Sequence, residues 1–134
     1  MPYNFLYKKA TTIANKDGST SVDGKGLYEA NCAACHQVNG EGLKGAFPSL
    51  KGSPIVTSEN LELYVDIIMN GYDARAEYGV MAAVGTNMNF TEKEVTAIIN
   101  YERTSWGNKG KKVTEEEIKK IMDFVKIKAS ASNQ

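Results

Sequence analysis

The sequence has few histidines and cysteines, the residues that form zinc sites and disulfides. With one histidine and two cysteines, it offers neither a second cysteine pair nor a second histidine to complete a structural zinc site. Basic and acidic side chains both number 16, so no basic excess points to nucleic acid or to an anionic membrane surface. No apolar run approaches the length that spans a bilayer. The 134 residues, 42% of them hydrophobic, predict one compact domain.

Both cysteines and the histidine lie together in the segment Cys32-Ala-Ala-Cys35-His36. This C-x-x-C-H spacing is the attachment motif of a c-type haem, because each thiol can add to one haem vinyl group while the histidine reaches the iron. A thioredoxin-like C-x-x-C requires a βαβ setting, whereas the flanking pattern here is helical. A disulfide would leave the adjacent histidine unexplained. The motif therefore predicts one haem c per chain, with its iron, bound covalently through Cys32 and Cys35.

Apolar periodicity and capping residues predict helices along most of the chain. Asp23 is predicted to cap a helix over 23–34 that runs into the motif. A second helix is predicted to begin at Ser58 or Glu59 and to end at Gly71, and residues 71–90 are predicted to form a loop. The only feature predicted before the first helix is a turn at Asp17-Gly18.

Two capping boxes predict the remaining helices. Thr91 and Glu94 begin a third helix that ends near residue 106, and Thr114 and Glu117 begin a fourth. Four apolar side chains predict that this last helix docks on the same domain, namely Ile118, Ile121, Met122 and Val125. The pattern predicts an all-α fold, with helices wrapped around a flat cofactor that supplies much of the core.

The sixth iron ligand is the main question left open by the motif. His36 is the only histidine, so the candidates are a methionine, a lysine, an asparagine, a water or an open position. Met69 and Met122 lie on predicted helices, where packing is the expected role. Met81 and Met88 lie in the predicted loop, and Met88 is too close to the third helix to leave much chain for crossing the haem edge. Met81 is therefore the favoured ligand, and a buried loop methionine is its alternative role.

Residues 23–108 resemble the class I cytochromes c. The run from Gly24 through Tyr28 to the motif resembles the family's N-terminal helix, in which a glycine and an aromatic pack against an aromatic of the C-terminal helix, here Tyr101. The segment Phe47-Pro48-Ser49-Leu50 resembles one whose proline carbonyl accepts the Nδ1 proton of the proximal histidine. The resemblance thus implies a hydrogen bond between Pro48 and His36 that orients the ring.

The segment Tyr78-Gly79-Val80-Met81 resembles the family's axial methionine loop, which implies His36 and Met81 as the iron ligands. Ala82 stands where the family usually has proline, and the loop that follows is slightly longer than usual. Tyr78, Arg75 and Trp106 are candidates for hydrogen bonds to the haem propionates.

The resemblance implies a periplasmic one-electron carrier, because a methionine and histidine pair leaves no open iron position. The exposed thioether side, around Ala33, Ala34 and Gln37, is the expected exchange face. The expected partners are redox proteins, such as a periplasmic reductase, dehydrogenase or oxidase, with no nucleic acid, no membrane span and a monomeric chain. Residues 1–22 lack the apolar run of a signal peptide, which a mature periplasmic protein would already have lost.

Two alternatives remain open. The Trp106-Gly-Asn108 segment and the helix after it resemble cytochrome subunits or fused domains of larger redox enzymes. A haem peroxidase or gas sensor with a displaceable sixth ligand is less favoured and is supported only by the missing proline. In each case the predicted organisation is an N-terminal extension over 1–22, a cytochrome domain over 23–108, and a linker with a docked helix over 109–134.

Overall fold

The computed structural model describes residues 12–74 and 76–132, and the predicted extension before residue 12 lies outside them. Its elements in chain order are β1 (Thr12–Ala14), β2 (Thr20–Val22), α1 (Gly24–Asn31), α2 (Ala33–His36), α3 (Pro54–Thr57), α4 (Glu62–Asn70), α5 (Val84–Asn87), α6 (Glu92–Thr104) and α7 (Glu115–Ser132). The strands form an antiparallel hairpin with Ile13 opposite Ser21. The rest of the described chain is helices and loops, so the predicted helical fold is confirmed, and the hairpin is an addition that the sequence pattern did not locate.

The hairpin turn and the first helix follow local polar signals. Asp17 accepts a hydrogen bond from the backbone N–H of Ser19, and Gly18 has a φ of 89°, so the turn lies where it was predicted. Asp23 caps α1 by accepting from the backbone N–H of Gly26 at 3.0 Å. The helix predicted over 23–34 is interrupted at Cys32, whose φ of −122° departs from helical backbone. Cys35 and His36 therefore lie on a separate helical turn, α2.

The predicted start of the second long helix at Ser58 or Glu59 is wrong. Ser58 has extended backbone that ends α3, and its hydroxyl accepts from the backbone N–H of Asn60 in a local turn. The helix α4 begins only after Leu61 and ends, as predicted, at Gly71 with a φ of 82°. The sequence alone therefore does not distinguish Ser58, which belongs to a polar turn before the helix, from a helix-capping residue.

The predicted loop over 71–90 contains one short helix, α5, which the sequence did not predict. Four residues are too few to display an apolar period, so α5 carries no signal of its own. Both predicted capping boxes form. At the start of α6, the Thr91 hydroxyl accepts from the backbone N–H of Glu94, and the Glu94 carboxylate accepts from the backbone N–H of Thr91. Thr114 and Glu117 form the same pair of bonds before α7.

The core lies where α6 contacts its neighbours. At the crossing of α1 and α6, a Cβ on Gly24 would overlap the backbone of Ala97, so only glycine permits this approach. The helix α7 packs against both α4 and α6. Ile118 and Val125 are buried there, with Ile121 and Met122 partly buried against the same cluster.

Candidate haem-binding site

A cavity of about 540 Å³ lies among α1, α2, α3, α4, α6 and the segments that connect them. Its walls are mainly apolar side chains, among them Phe47, Leu50, Ile55, Val56, Ile68 and Ile98. The volume falls within the range of about 300–1,000 Å³ that is common for cofactor pockets. Six of the residues that the sequence proposed for binding the haem line this one cavity, namely Cys32, Cys35, His36, Pro48, Tyr78 and Met81.

His36 is held in the cavity wall by the carbonyl of Pro48. The His36 Nδ1 lies 3.0 Å from the Pro48 oxygen, and because a carbonyl can only accept, Nδ1 carries the proton. The other ring nitrogen, Nε2, keeps its lone pair for a metal. Burial lowers the pKa of His36, which keeps the imidazole neutral, although the Pro48 bond acts in the opposite sense.

A glycine that sequence reasoning did not single out permits this histidine–proline contact. Gly42 has a φ of 67° and its backbone N–H bonds to the carbonyl of His36 at 2.9 Å. A Cβ on Gly42 would lie 2.5 Å from the carbonyl oxygen of Phe47 and 2.6 Å from that of Pro48. Residue 42 must therefore be glycine for the backbone of residues 47–48 to come close enough to contact His36.

The two cysteines lie on the turn that carries the histidine. The backbone N–H of His36 bonds to the carbonyl of Cys32 at 3.0 Å, and that of Cys35 bonds to the same oxygen at 3.2 Å. No disulfide joins Cys32 and Cys35. Burial, with smaller contributions from Glu102 and Cys35, raises the pKa of the Cys32 thiol, whereas Cys35 is exposed to solvent.

An aromatic cluster stabilises this turn from behind. The ring centroids of Tyr28 and Tyr101 are 5.4 Å apart, as the family resemblance implied, and Trp106 contacts Tyr28 in a tilted arrangement and Tyr101 edge-on. The Tyr28 hydroxyl donates to the carbonyl of Gln37 at 2.6 Å, and the Trp106 indole N–H donates to the carbonyl of Val38. Trp106 is thus bound to the chain after the motif and is not among the residues that line the cavity, which is evidence against its predicted role at the propionates. Arg75, the other such candidate, lies outside the described residues.

Met81 reaches the cavity from a short antiparallel bridge to Tyr72. The two residues exchange both backbone hydrogen bonds, at 2.8 and 3.0 Å. Gly71 allows the two bridged segments to approach each other, because a Cβ at residue 71 would lie 2.5 Å from the Met81 carbonyl oxygen. Met88, the competing loop methionine, packs against the hydrophobic core and is not a cavity-lining residue.

The cavity wall also contains a buried carboxyl group that sequence reasoning missed. Glu102 is 4% exposed, and its Oε1 accepts a 2.5 Å hydrogen bond from the Tyr64 hydroxyl. Burial raises the pKa of Glu102 to about 7, and the Tyr64 bond opposes that rise. A signal was available, because Val95, Ile98 and Ile99 define an apolar stripe on which Glu102 is the next position.

These residues fit a covalently attached haem. The cavity offers apolar walls, two thiols on one turn, a neutral imidazole with Nε2 unprotonated, and a thioether sulfur from a separate segment. Histidine and methionine are an established axial ligand set of haem iron.

Comparison with known proteins agrees with the geometry. The cytochrome c family model matches residues 21–106. The chain belongs to the cytochrome c family. It is 36% identical to cytochrome c-552 of Thermus thermophilus over 111 residues, which cover 75% of this chain and 84% of that protein.

The chain is also similar to subunits of larger enzymes. It is 33% identical to the cytochrome c subunit of a quinone alcohol dehydrogenase from Gluconacetobacter polyoxogenes, covering 90% of this chain. It is 30% identical to the cytochrome subunit of fructose dehydrogenase from Gluconobacter japonicus, covering 86%. The match spans only 27% and 26% of those subunits.

Membership of the family establishes the general function. As a member of this family, the chain binds haem c and carries electrons. Within the described residues, no helix has the length and apolar character needed to cross a membrane.

Proposed function

We propose that this cytochrome is a monomeric periplasmic carrier of one electron, with a single haem attached to Cys32 and Cys35 and ligated by His36 and Met81. The observation that carries the proposal is the convergence of these four side chains on one cavity. The Cys32 and Cys35 thiols would hold the haem through thioether bonds to its two vinyl groups. Residues 23–108 hold all four groups and form the haem-binding unit, with 1–22 as an extension and 109–134 as a linker and docked helix.

The protein's own residues exclude water from the cavity and hold the two iron ligands in place. When bound, the haem supplies a reversible one-electron iron couple. Pro48 orients His36, the bridge to Tyr72 holds the backbone of Met81, and the apolar walls exclude water. Tyr78 lines the cavity and donates its hydroxyl to a haem propionate in this proposal.

Electrons exchange where the cavity opens. Cys35 and Val80 both line the cavity and are exposed, Val80 by 66%, so the haem edge is reachable beside them. Ala34 and Gln37 are exposed, as the predicted exchange face requires, whereas Ala33 is buried and drops out of that face. An exposed apolar rim of this kind suits a small and transient contact with a redox partner.

The electron donor is a dehydrogenase in this proposal, because relatives of the chain are named as subunits of alcohol and fructose dehydrogenases. The similarity to cytochrome c-552 over most of its length favours a free carrier. Purification of the native protein distinguishes the two arrangements. A free carrier is released by osmotic shock and elutes near the 14.6 kDa of the polypeptide plus haem, whereas a subunit elutes with its dehydrogenase.

The haem content is tested directly. A pyridine haemochrome spectrum together with intact mass should show one haem that survives denaturation. Haem that acidified solvent extracts from the polypeptide would refute covalent attachment.

The sixth ligand is tested with a matched pair of methionine variants. Met81→Ala should abolish the methionine-to-iron charge-transfer band and lower the reduction potential, because thioether sulfur favours the ferrous state. Met88→Ala, which removes a side chain packed on the core, should leave the band and the potential unchanged. The ferrous protein should bind carbon monoxide slowly and weakly. The reverse pattern between the variants would assign the ligand to Met88, and fast, tight carbon monoxide binding would favour a sensor or peroxidase.

A further inference from the structure

Glu102 and Tyr64 form a buried polar pair in a cavity that is otherwise mainly apolar. Each is 4% exposed, and both line the cavity, Glu102 from α6 and Tyr64 from α4. A carboxylate without a counter-ion is costly at such a position, so its charge depends strongly on any other charge in the cavity. The proposed electron carrier changes the charge of its cavity by one unit at each turnover.

Within the described residues, Glu102 forms no ion pair with a lysine or arginine side chain. Tyr64 donates to it from α4, and Tyr28 of α1 and Cys32 at the end of α1 interact with it electrostatically. Arg103, the next residue of α6, donates its guanidinium hydrogens instead to the carbonyls of Val56, Ser58 and Lys111. The other titratable groups on the cavity wall are Cys35, His36, Lys51, Tyr72, Asp73 and Tyr78.

We propose that Glu102 binds one proton when the haem is reduced and releases it when the haem is oxidised. In the reduction step, one electron passes from the redox partner to the ferric iron, and one proton passes from solvent to the Glu102 carboxylate to form the neutral acid. The Tyr64 hydroxyl donates to Oε1 before and after the step. Ferric iron favours the nearby carboxylate, and the added electron disfavours it, so the two transfers are coupled.

This inference rests on the proposed function and predicts a pH-dependent potential. Burial places the pKa of Glu102 at about 7, so the dependence lies near neutral pH. In spectroelectrochemical titrations of the holoprotein, the potential should fall as pH rises through this region. Its slope should approach the limit of about 59 mV per tenfold change in proton activity for a one-electron couple.

Three variants test whether Glu102 causes the pH dependence of the potential. Glu102→Gln keeps the size and hydrogen-bonding capacity but cannot ionise, so its potential should be independent of pH in this region and equal to the acid plateau of the wild type. Tyr64→Phe removes a bond that favours the carboxylate, so the dependence should move to higher pH. Glu29→Gln, which changes an exposed carboxyl on α1, should retain the wild-type slope.

Infrared spectroscopy gives a readout that does not depend on the potential. The reduced-minus-oxidised difference spectrum of the wild type should contain the C=O band of a protonated carboxylic acid, and Glu102→Gln should lack it. A slope that persists in Glu102→Gln would overturn the proposal, as would a pH-independent wild type with an intact haem spectrum. If Glu102→Gln fails to mature, the wild type and Tyr64→Phe decide between the same outcomes. Wrong haem content or ligation would be seen in the initial spectrum and would refute the proposed function instead.

Discussion

Replacing Arg103 by methionine should destabilise the holoprotein by about 3–5 kcal/mol. Arg103 is 2% exposed, and its guanidinium donates to the carbonyl oxygens of Val56 at 2.8 Å, Ser58 at 2.7 Å and Lys111 at 2.6 Å. Methionine keeps the apolar stem and removes all three donors. The bond to Val56 is buried, so that oxygen loses its partner at a cost of about 1–3 kcal/mol. Ser58 and Lys111 are partly reached by water, and each bond there contributes about 1 kcal/mol.

The location of the three acceptors adds a second expectation. The three bonds join α6 to α3, to the connection between α3 and α4, and to the linker that precedes α7. Loss of Arg103 should therefore speed amide exchange in the linker and in α7 before it affects α1.

Urea unfolding of the ferric protein, followed by circular dichroism, measures the effect. With a slope of about 2 kcal/mol per molar urea, the midpoint of Arg103→Met should fall by about 1.5–2.5 M. Lys111→Met is the control, because this exposed side chain forms a surface ion pair with Glu59 that contributes less than about 1 kcal/mol. A loss below about 1 kcal/mol in Arg103→Met would show that the three carbonyls are solvated without the guanidinium.

Three further predictions test other parts of the fold. The pKa of Glu102 is raised from 4.5 to about 7, so its stabilising contribution is complete below about pH 4.5 and is lost as pH rises through 7. Relative to Glu102→Gln, the wild type should lose up to about 3 kcal/mol of unfolding free energy over this pH range. If the unfolding free energies of the two proteins had the same pH dependence, the raised pKa of Glu102 would be refuted. Ile118→Ala should lower the free energy of urea unfolding by about 2–4 kcal/mol, because this side chain is fully buried. Ile127→Ala, at a site that is 69% exposed, should change it very little. Equal losses in the two variants would mean that α7 does not dock on the domain. Gly71→Ala should weaken the charge-transfer band, because its Cβ would contact the carbonyl of Met81, and an unchanged band would show that the bridge is dispensable.

Signals that act within a few residues predicted their structures well. The capping boxes at Thr91 and Thr114 are satisfied three residues along the chain, so nothing distant can alter them. The same holds for the Asp23 cap and for the end of α4 at Gly71, where positive φ favours glycine. The family resemblance added the Pro48 contact of His36, which no local rule could supply.

Features that depend on distant contacts could not be predicted in this way. Ser58 looks like a helix cap, but its carbonyl is an acceptor for Arg103, 45 residues away, and its backbone is extended. Met81 pairs with Tyr72 only because Gly71 leaves room for its carbonyl, and no periodicity encodes a single bridge. The apolar stripe of α6 indicates that Glu102 faces the core, but its hydrogen-bond partner Tyr64 lies 38 residues away and no local rule predicts that contact.

The bridge at Met81 also explains how the loop can lack the proline that usually follows the axial methionine in this family. A proline restricts φ and so limits the conformations of the loop. Here Ala82 stands in that position, and two backbone hydrogen bonds between Tyr72 and Met81 restrict the same stretch of chain. A third bond, from the backbone N–H of Val84 to the carbonyl of Ala82 at 2.8 Å, fixes the entry into α5. The absence of proline therefore does not by itself imply a loosely held sixth ligand, which removes the only sequence feature that favoured a sensor or peroxidase.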